Sequence, residues 1–237
     1  MMAAAAQRRK DDAWRRRLYV PNYQVGEAAR YADISRQTVV AWQKGEGSGA
    51  LSPRDKGASL SYLQLIEVAV VAAFRKAGVP LKEIKASREY LSKQLESEYP
   101  FTEYNFKTDG RSLFMDYEQV VGAKGKGVLL RPGKAGQMAW EQIIGGRLRQ
   151  FEYERKGIVV RWYLKGRDSP ILIDPRVAFG APVIHGTPTW VVKGRWEAGE
   201  VVSEIADDFG LKVKDVQDAL RFEGVDPSSE GDRSWTQ

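Results

Sequence analysis

The segment from Val25 to Trp42 constrains the fold most, because it has the pattern of two short helices packed around a tight turn. A small residue, Ala29, stands where the two helices would touch, and Asp33 lies in the turn. Three apolar residues have the spacing that holds a second helix against the first: Ile34, Val39 and Trp42. The segment therefore predicts a helix-turn-helix in which Ser35 caps the second helix.

The exposed side of that second helix begins with polar residues of the kinds that contact nucleic acid. Arginine reaches guanine, glutamine reaches adenine, and serine and threonine hydroxyls bond to either. A glycine-rich loop from Gly45 to Ser59 follows and carries further cations. The residues that we expect to contact DNA are Ser35, Arg36, Gln37, Thr38, Lys44, Arg54 and Lys56.

The same spacing recurs 177 residues further on, which predicts a second helix-turn-helix between Ser203 and Phe222. Ala206, Leu211 and Val216 take the places of Ala29, Ile34 and Val39. The exposed side differs, because its charges balance: Lys212, Lys214, Asp215, Gln217 and Asp218. Carboxylates that face phosphate weaken binding, so packing or dimerisation is favoured over DNA contact for this repeat.

Three parts follow from the remaining patterns. Residues 19–95 read as helices, including an apolar helix that ends at Gly78 and another that restarts after Pro80. Residues 101–166 read mostly as strands, at Ser112–Tyr117, at Val128–Leu130 and in a hairpin over Leu148–Leu164, with one or two helical turns at Met138–Ile144. From Ser169 onward we expect a strand at 171–173, a rigid Gly/Pro loop over 180–188, and helices at 189–197, 201–209 and 213–222.

The predicted class is α+β, with a winged helix-turn-helix, a mainly β middle domain and a small homeodomain-like helical domain. The expected domains are residues 19–97, 98–168 and 169–225, flanked by a basic arm at 1–18 and a polar tail at 226–237. Arg15, Arg16 and Arg17 suit either a minor-groove arm or, as we favour, a plain disordered arm. Five tryptophans are expected in cores: Trp42, Trp140, Trp162, Trp190 and Trp196.

Composition narrows the function. The net charge is +6, but residues 1–60 carry +5, residues 61–167 carry +7 and residues 168–237 carry −6, so the first two parts suit a polyanion. The chain has no cysteine and a single histidine, His185, for which fixing a turn is favoured over chemistry. No catalytic residue, metal site or cofactor is predicted. With no long apolar run, we expect a cytoplasmic protein without a membrane partner.

Residues Tyr23 to Lys93 resemble the winged helix-turn-helix of the MerR type. The resemblance covers the two helices, a wing over Gly45–Ser59, and the run Leu60-Ser61-Tyr62-Leu63-Gln64-Leu65 that enters the apolar helix. The segment Ala77-Gly78-Val79-Pro80-Leu81-Lys82-Glu83-Ile84 resembles a later helix junction of that family. No sensor cysteines follow, so the resemblance does not imply metal sensing.

The last part resembles a small family of unknown function found in VapB-type antitoxins. The matching segments are Asp174-Pro175, Phe179-Gly180-Ala181-Pro182-Val183-Ile184-His185-Gly186-Thr187, Gly199-Glu200 and Ile205-Ala206-Asp207-Asp208-Phe209. An arginine commonly follows the Gly-Thr pair, whereas this chain has Pro188. The resemblance implies a homeodomain-like, often dimeric module in an antitoxin whose partner is a PIN-domain ribonuclease toxin.

The resulting hypothesis is a dimeric DNA-binding antitoxin that neutralises such a toxin and represses its own operator. In such pairs an arginine beside an aromatic anchor often closes the toxin's acidic metal pocket, so Arg233 and Trp235 are candidates for toxin binding. The alternative, which we favour, is that these residues belong to a frayed terminus. Two other functions stay open. One is a MerR-like transcription regulator with a ligand-sensing middle domain, and the other is a metal-dependent nuclease, against which no carboxylate cluster has ligand spacing.

Overall fold

The structure, a computed structural model, describes residues 14–43, 50–53, 57–103, 144–154 and 157–228. Across these residues, helices accompany a five-stranded sheet, which confirms the α+β class. The chain divides into two compact units, residues 1–160 and residues 161–237. Within the described ranges, no helix combines the length and apolar character needed to cross a membrane.

The described helices of the first unit fall largely where the sequence predicts them. They are α1 (Val25–Ala32), α2 (Arg36–Gln43), α3 (Tyr62–Lys76), α4 (Leu81–Gln94) and α5 (Gly145–Arg149). The prediction of a mainly helical segment over residues 19–95 is therefore confirmed for the residues that the structure describes. The predicted disordered arm over residues 1–18 is wrong for its described end, because residues 14–17 are helical and Leu18 is fully buried. A short 3₁₀ turn, Pro100–Thr102, follows α4.

Helix α3 lies at the centre of the first unit. Every side chain from Tyr62 to Phe74 is buried, so this helix is covered on all sides rather than along one stripe. Ser61 caps its start, since the Ser61 hydroxyl accepts a hydrogen bond from the Gln64 amide at 3.3 Å. Gly78, with φ +87°, lies just past its end, as predicted, because that left-handed conformation suits glycine.

The predicted hairpin starts later than expected. Residues 145–149 form α5, and the strands are β1 (Phe151–Tyr153) and β2 (Val159–Tyr163), so the expected strand over residues 147–150 is wrong. The prediction failed because Leu148 is the only buried residue of α5, where it packs against α3. A single apolar residue between two arginines is compatible with one helical turn as well as with a strand. The strands predicted at 112–117 and 128–130, and the helical turns at 138–143, lie outside the described residues.

The sheet continues with β3 (Ile171–Ile173), β4 (Pro182–Ile184) and β5 (Thr187–Pro188), and its strand order follows the chain. The rigid loop predicted over residues 180–188 is therefore wrong from residue 182 onward. Val183 lies opposite Leu172 in the antiparallel register, so β3 pairs with apolar residues that a loop would leave exposed. Proline occupies the first position of β4, where strands tolerate it.

A two-residue turn closes the β4–β5 hairpin. His185 has φ +47° and Gly186 has φ +90°, the pair of positive values that tight hairpin turns require. His185 is exposed, and its backbone forms the turn, as the sequence analysis favoured.

Three helices complete the second unit at the predicted places: α6 (Thr189–Glu197), α7 (Val202–Phe209) and α8 (Val213–Phe222). Trp162 and Trp196 are buried here, and Trp42 is buried in the first unit. Trp190 is 61% exposed, so its predicted place in the core is wrong. The buried face of α6 runs through Thr189, Val192 and Trp196, and position 190 falls off that face. Trp140 lies outside the described residues.

Candidate nucleic-acid interface

The turn between α1 and α2 depends on a residue in the left-handed conformation. Asp33 has φ +58° and ψ +50°. Aspartate is among the few residues, besides glycine, that enter this region without a large penalty. The Ile34 amide then donates to the Ala29 carbonyl at 3.0 Å, which closes the turn. The buried, small Ala29 lets the two helices approach, so the chain reverses within three residues.

The first residues of α2 divide into a cap and a projecting pair. The Ser35 hydroxyl accepts a hydrogen bond from the Thr38 amide at 3.2 Å, and the Ser35 and Thr38 hydroxyls lie 2.8 Å apart. Two of the predicted DNA-contacting hydroxyls therefore also fix the start of the helix. Arg36 and Gln37 are exposed, and neither has a hydrogen-bond or ion-pair partner within the described part of the chain.

The opposite side of α2 is anchored. Val39 is fully buried and Trp42 is 4% exposed. Because both side chains are held in the core, the helix has a fixed rotation, and residues 36 and 37 point away from it. This arrangement presents one guanidinium and one carboxamide on a rigid element, which are the two groups that pair bidentately with guanine and adenine edges.

The chain returns from the glycine-rich loop through a backbone bridge to the residues that precede α1. The amides of Asn22 and Tyr23 each donate to the Leu60 carbonyl at 2.9 Å, and the Leu60 amide donates to the Tyr23 carbonyl at 2.7 Å. Gln64 then reaches back, and its side-chain nitrogen donates to the Pro53 carbonyl at 2.9 Å. The second half of the loop is thus attached both to the residues that precede α1 and to α3.

A buried ion pair strengthens this attachment. Glu67, on α3, accepts hydrogen bonds from the Ser52 amide at 2.8 Å and from Arg88 Nε at 3.0 Å. Arg88, on α4, also donates to the Ser52 hydroxyl at 2.7 Å and to the Glu98 carbonyl. Burial raises the pKa of Glu67 above its ordinary value, against the opposing effects of Arg88 and Ser52. Sequence reasoning missed this network, although a glutamate inside the apolar run of α3 was its signal.

Helices α7 and α8 repeat the geometry of α1 and α2 at an offset of 177 residues. We name these the second helix pair (Val202–Phe209 and Val213–Phe222) and the first helix pair (Val25–Ala32 and Arg36–Gln43). Gly210 takes the place of Asp33, with φ +63°, and the Leu211 amide donates to the Ala206 carbonyl at 2.8 Å. The repeat seen in the sequence is therefore also a repeat in backbone structure.

The start of α8 carries a different surface from the start of α2. Lys212, Val213 and Lys214 are exposed where the first pair has Ser35, Arg36 and Gln37. Asp215 is 9% exposed and accepts a hydrogen bond from the Lys212 amide at 3.3 Å, so it caps the helix. This carboxylate is turned inward, although the sequence analysis placed it on the exposed side.

Several predicted site residues lie outside the described residues. They are Lys44, Arg54, Lys56, Arg233 and Trp235. Of the predicted DNA-contacting set, the structure places Ser35 immediately before α2 and Arg36, Gln37 and Thr38 in its first turn. In the ranges that the structure describes, no group of three or more His, Cys, Asp or Glu residues could hold a metal ion.

Two comparisons concern the sequence. Residues 171–222 match a family described as a protein of unknown function, DUF433. A curated relative from Mycobacterium tuberculosis (strain ATCC 25618 / H37Rv), named "Putative antitoxin VapB45", is 28% identical over 227 residues. That alignment covers 86% of this chain and 94% of the relative. The similarity therefore runs through both units and not through the DUF433 segment alone.

A third comparison concerns the fold. The crystal structure of Rv2018 from Mycobacterium tuberculosis matches with a TM-score of 0.69 and 24% sequence identity. The match covers 86% of this chain and 99% of that one. The fold therefore has a counterpart among solved structures over 86% of this chain.

Proposed function

We propose that this chain is the DNA-binding antitoxin of a type II toxin–antitoxin pair. The observation that carries the proposal is the similarity to a relative named as a VapB antitoxin, which extends over 94% of that relative. A match of this extent favours a shared role over a shared module. In this role the chain neutralises a PIN-type ribonuclease toxin and represses its own operator.

The DNA-binding part of the proposal assigns a winged helix-turn-helix of the MerR type to the first unit. Helix α2 enters the major groove, where Arg36 and Gln37 read base edges. Ser35 and Thr38 bond to the backbone or to bases at the same end, and Lys44, Arg54 and Lys56 contact phosphates from the loop. The chain acts as a homodimer, so its operator consists of two related half-sites.

The toxin-binding part of the proposal concerns the second unit and the tail. We assign the second unit a homeodomain-like fold that supports dimerisation. Arg233 and Trp235 close the toxin's pocket of metal-binding carboxylates, since a guanidinium stays charged and bonds two carboxylate oxygens at once. The competing surface is acidic and lies on α7, where Glu204, Asp207 and Asp208 are exposed.

The DNA-binding part is tested with Arg36→Ala in the full chain. The probe is the duplex immediately upstream of the chain's own reading frame, titrated by fluorescence anisotropy at fixed salt. Removal of a bidentate pairing with a base weakens binding by about 1–3 kcal/mol. Lys82→Ala, which removes the same charge from an exposed position on α4, is the matched control. Equal affinities for the parent and Arg36→Ala, with the melting curve unchanged, would contradict the assignment.

The toxin-binding part is tested by mixing the chain with the PIN-type ribonuclease that the proposal makes its partner and measuring ribonuclease activity. The double variant Arg233→Ala, Trp235→Ala should release activity and leave operator affinity unchanged. If this variant inhibits as well as the parent, the tail takes no part in inhibition. Glu204→Gln, Asp207→Asn and Asp208→Asn then become the variants to measure.

A cavity in the first unit is the observation that bears on a second candidate, a MerR-like regulator with a ligand-sensing middle domain. It has a volume of about 710 Å³ and is lined by residues of the first helix pair, α3 and α5, among them Asp33, Trp42, Arg75 and Arg147. Burial lowers the pKa of Arg147, while the charge of Asp33 opposes that effect. This candidate would be favoured if small molecules from a cell extract changed the affinity for the operator. It would also be favoured if no toxin copurified with the chain.

A further inference from the structure

The second unit contains a cleft that the proposed function does not use. Its floor is one face of the sheet, where Tyr163, Leu172 and Val183 lie side by side in the antiparallel register. Its walls are the turn after β2 and the start of α8. The cleft has a volume of about 830 Å³. We name it the lysine cleft after three residues on its walls, Lys165, Lys212 and Lys214.

Three of the four carboxylates that line the cleft are engaged by neighbours. Asp174 accepts from Arg161 Nε and from Arg176 Nη2, both at 2.7 Å. Asp215 Oδ2 lies 3.3 Å from His185 Nε2. Asp218 accepts from Arg221 Nη1 at 3.1 Å. Arginines therefore neutralise Asp174 and Asp218, whereas His185 is counted as neutral at pH 7 and leaves the charge of Asp215 in place.

The three lysines are exposed, and none has an ion-pair partner in the described part of the chain. Arg167 adds a fourth cation, with its guanidinium 4.5 Å from the centre of the Tyr163 ring. Asp168 is the remaining carboxylate of the lining. Because a concave surface with an apolar floor concentrates the field of its charges, the remaining excess of cations attracts an anion more strongly than the same charges on a flat surface would.

Part of the negative charge of the second unit lies outside the cleft. Residues 168–237 carry a net charge of −6, which argues against contact with a polyanion when charge is counted along the sequence. Glu204, Asp207 and Asp208 are exposed on α7, and none of them lines the cleft. Arg161, Lys165 and Arg167 come before residue 168 in the sequence but line the same cleft as α8. The net charge summed over residues 168–237 therefore includes acidic residues of α7 that lie outside the cleft and leaves out three cations that line it.

We propose that the lysine cleft binds the phosphodiester backbone of a nucleic acid, with Lys165, Lys212 and Lys214 each contacting phosphate. Ammonium groups on flexible stems bind phosphate as point charges and read no base sequence. The start of α8 adds partial positive charge in the same place. The inference goes beyond the proposed function, because it concerns the second unit and holds whether or not α2 reads an operator.

The experiment uses the full chain carrying Arg36→Ala and Gln37→Ala, so that α2 contributes little. The probes are a duplex DNA, a single-stranded DNA and a single-stranded RNA, each of 20 nucleotides of random sequence, titrated at several salt concentrations. Adding Lys165→Gln, Lys212→Gln and Lys214→Gln should lower the slope of log affinity against log salt by about 0.9 per lysine on duplex DNA and about 0.7 on single strands. The probe with the largest loss identifies the natural strand type.

Two further variants keep the result interpretable. Lys82→Gln, Lys85→Gln and Lys93→Gln on α4 remove the same charge outside the cleft and should leave the slope close to that of the parent. Lys165→Arg, Lys212→Arg and Lys214→Arg keep the charge and should retain the slope, which separates charge from folding. The proposal is wrong if the salt dependence falls by the same amount in the cleft variant and in the control variant. Polyglutamate, an anionic polymer without phosphate, is a fourth probe. If the cleft variant binds polyglutamate more weakly than the parent but binds every oligonucleotide as the parent does, the proposal is also wrong. An unaltered operator affinity in Arg36→Ala, by contrast, refutes only the function assigned to α2.

Discussion

The first and second helix pairs share a backbone and differ in what they present. Both reverse through one left-handed residue, Asp33 or Gly210, and both close the turn with an amide donated to a buried alanine carbonyl. Val39 and Val216, at equivalent positions, are fully buried. The first residues of α2 are a serine cap, an arginine and a glutamine, whereas α8 begins with two lysines around a valine.

This difference shows which residues determine shape and which determine recognition. A few small, apolar or left-handed positions are sufficient to specify two packed helices, so they recur in both units. The residues at the start of the second helix are exposed in both pairs and can vary without changing the packing. Specificity for a ligand must therefore be read from those positions and their surroundings rather than from the helix-turn pattern.

The two pairs also differ in what supports them. The first unit contains a buried ion pair, Glu67 with Arg88, which fixes the end of the loop that follows α2. The second pair packs on α6 through apolar side chains, with Val192, Ile205 and Leu220 fully buried. Substitutions at the ion pair should therefore affect one unit and spare the other.

The largest effect is expected from Arg88→Ala. The substitution leaves Glu67 buried without its cationic partner, and loss of one member of a buried pair costs about 3–5 kcal/mol of the free energy of unfolding. Amide hydrogen exchange followed by residue should show faster opening in α3 and α4. Protection in α6, α7 and α8 should stay at the parental level.

The double variant Glu67→Leu, Arg88→Met is the control for that result. Replacing both charges with apolar side chains of similar size removes the unpaired charge, so most of the lost stability should return. Faster exchange in both units of Arg88→Ala, or a double variant as unstable as the single one, would show that the pair does not act locally as described.

The helices were predictable from the sequence because their signals are local. Each helix boundary is marked by residues only a few positions apart, such as the turn residues and the glycine after α3. The repeat is local in the same sense, because each of its two copies is a short pattern. The structure contains the corresponding helices, α1–α4 and α6–α8. The β4–β5 hairpin was mistaken for a loop because its strands are short and contain proline. The pairing of β4 with β3 is a tertiary contact, and the local sequence pattern does not indicate it.

The candidate sites were predictable to a smaller extent. Arg36 and Gln37 are exposed as expected, but Ser35 and Thr38 are also used in capping. The lysine cleft could not be predicted, since Lys165 and Lys212 are 47 residues apart and are brought together by the sheet. The charge average over residues 168–237 concealed it, because the exposed acidic residues of α7 entered the same sum.

The second prediction transfers the exposed residues of the second helix pair to the first. Arg36→Val with Gln37→Lys gives α2 the residues that α8 has at the equivalent positions. Because positions 36 and 37 are exposed, the melting temperature should change little. Discrimination between operator and random duplex should fall by about 1–3 kcal/mol for each base that α2 can no longer pair with. Competition titrations at one salt concentration measure that ratio, and full retention of discrimination would place sequence reading elsewhere in the chain.

The third prediction concerns the turn residue. At Gly210 an added Cβ meets no atom within 4 Å, so Gly210→Ala tests the left-handed conformation without a steric clash. The variant should lose about 1–2 kcal/mol of stability in the second unit. In the first unit, Asp33→Gly relieves the same strain and should be neutral or slightly stabilising. Chemical denaturation of both variants measures this difference, and effects of equal sign would mean that the turns are not equivalent.

The smallest effect expected is a difference between the two units in their response to acid. At Asp174 burial alone would raise the pKa, but hydrogen bonds from Arg176 and Arg161 outweigh it and hold the pKa below the ordinary value of 3.8. Its stabilising contribution is therefore complete above that ordinary value and is lost as the pH falls through the lowered pKa of the folded state. Glu67 has a raised pKa, so its contribution to stability changes with pH in the opposite direction and declines as the pH rises above the ordinary value of 4.5.

Unfolding of the parent should thus be compared with that of Asp174→Asn and Glu67→Gln from about pH 6 down to about pH 3, the range in which carboxylates titrate. The stability advantage of the parent over Asp174→Asn should shrink with acid, and its stability relative to Glu67→Gln should grow. Parallel changes in the two differences would show that one of these carboxylates has its pKa shifted in the other direction.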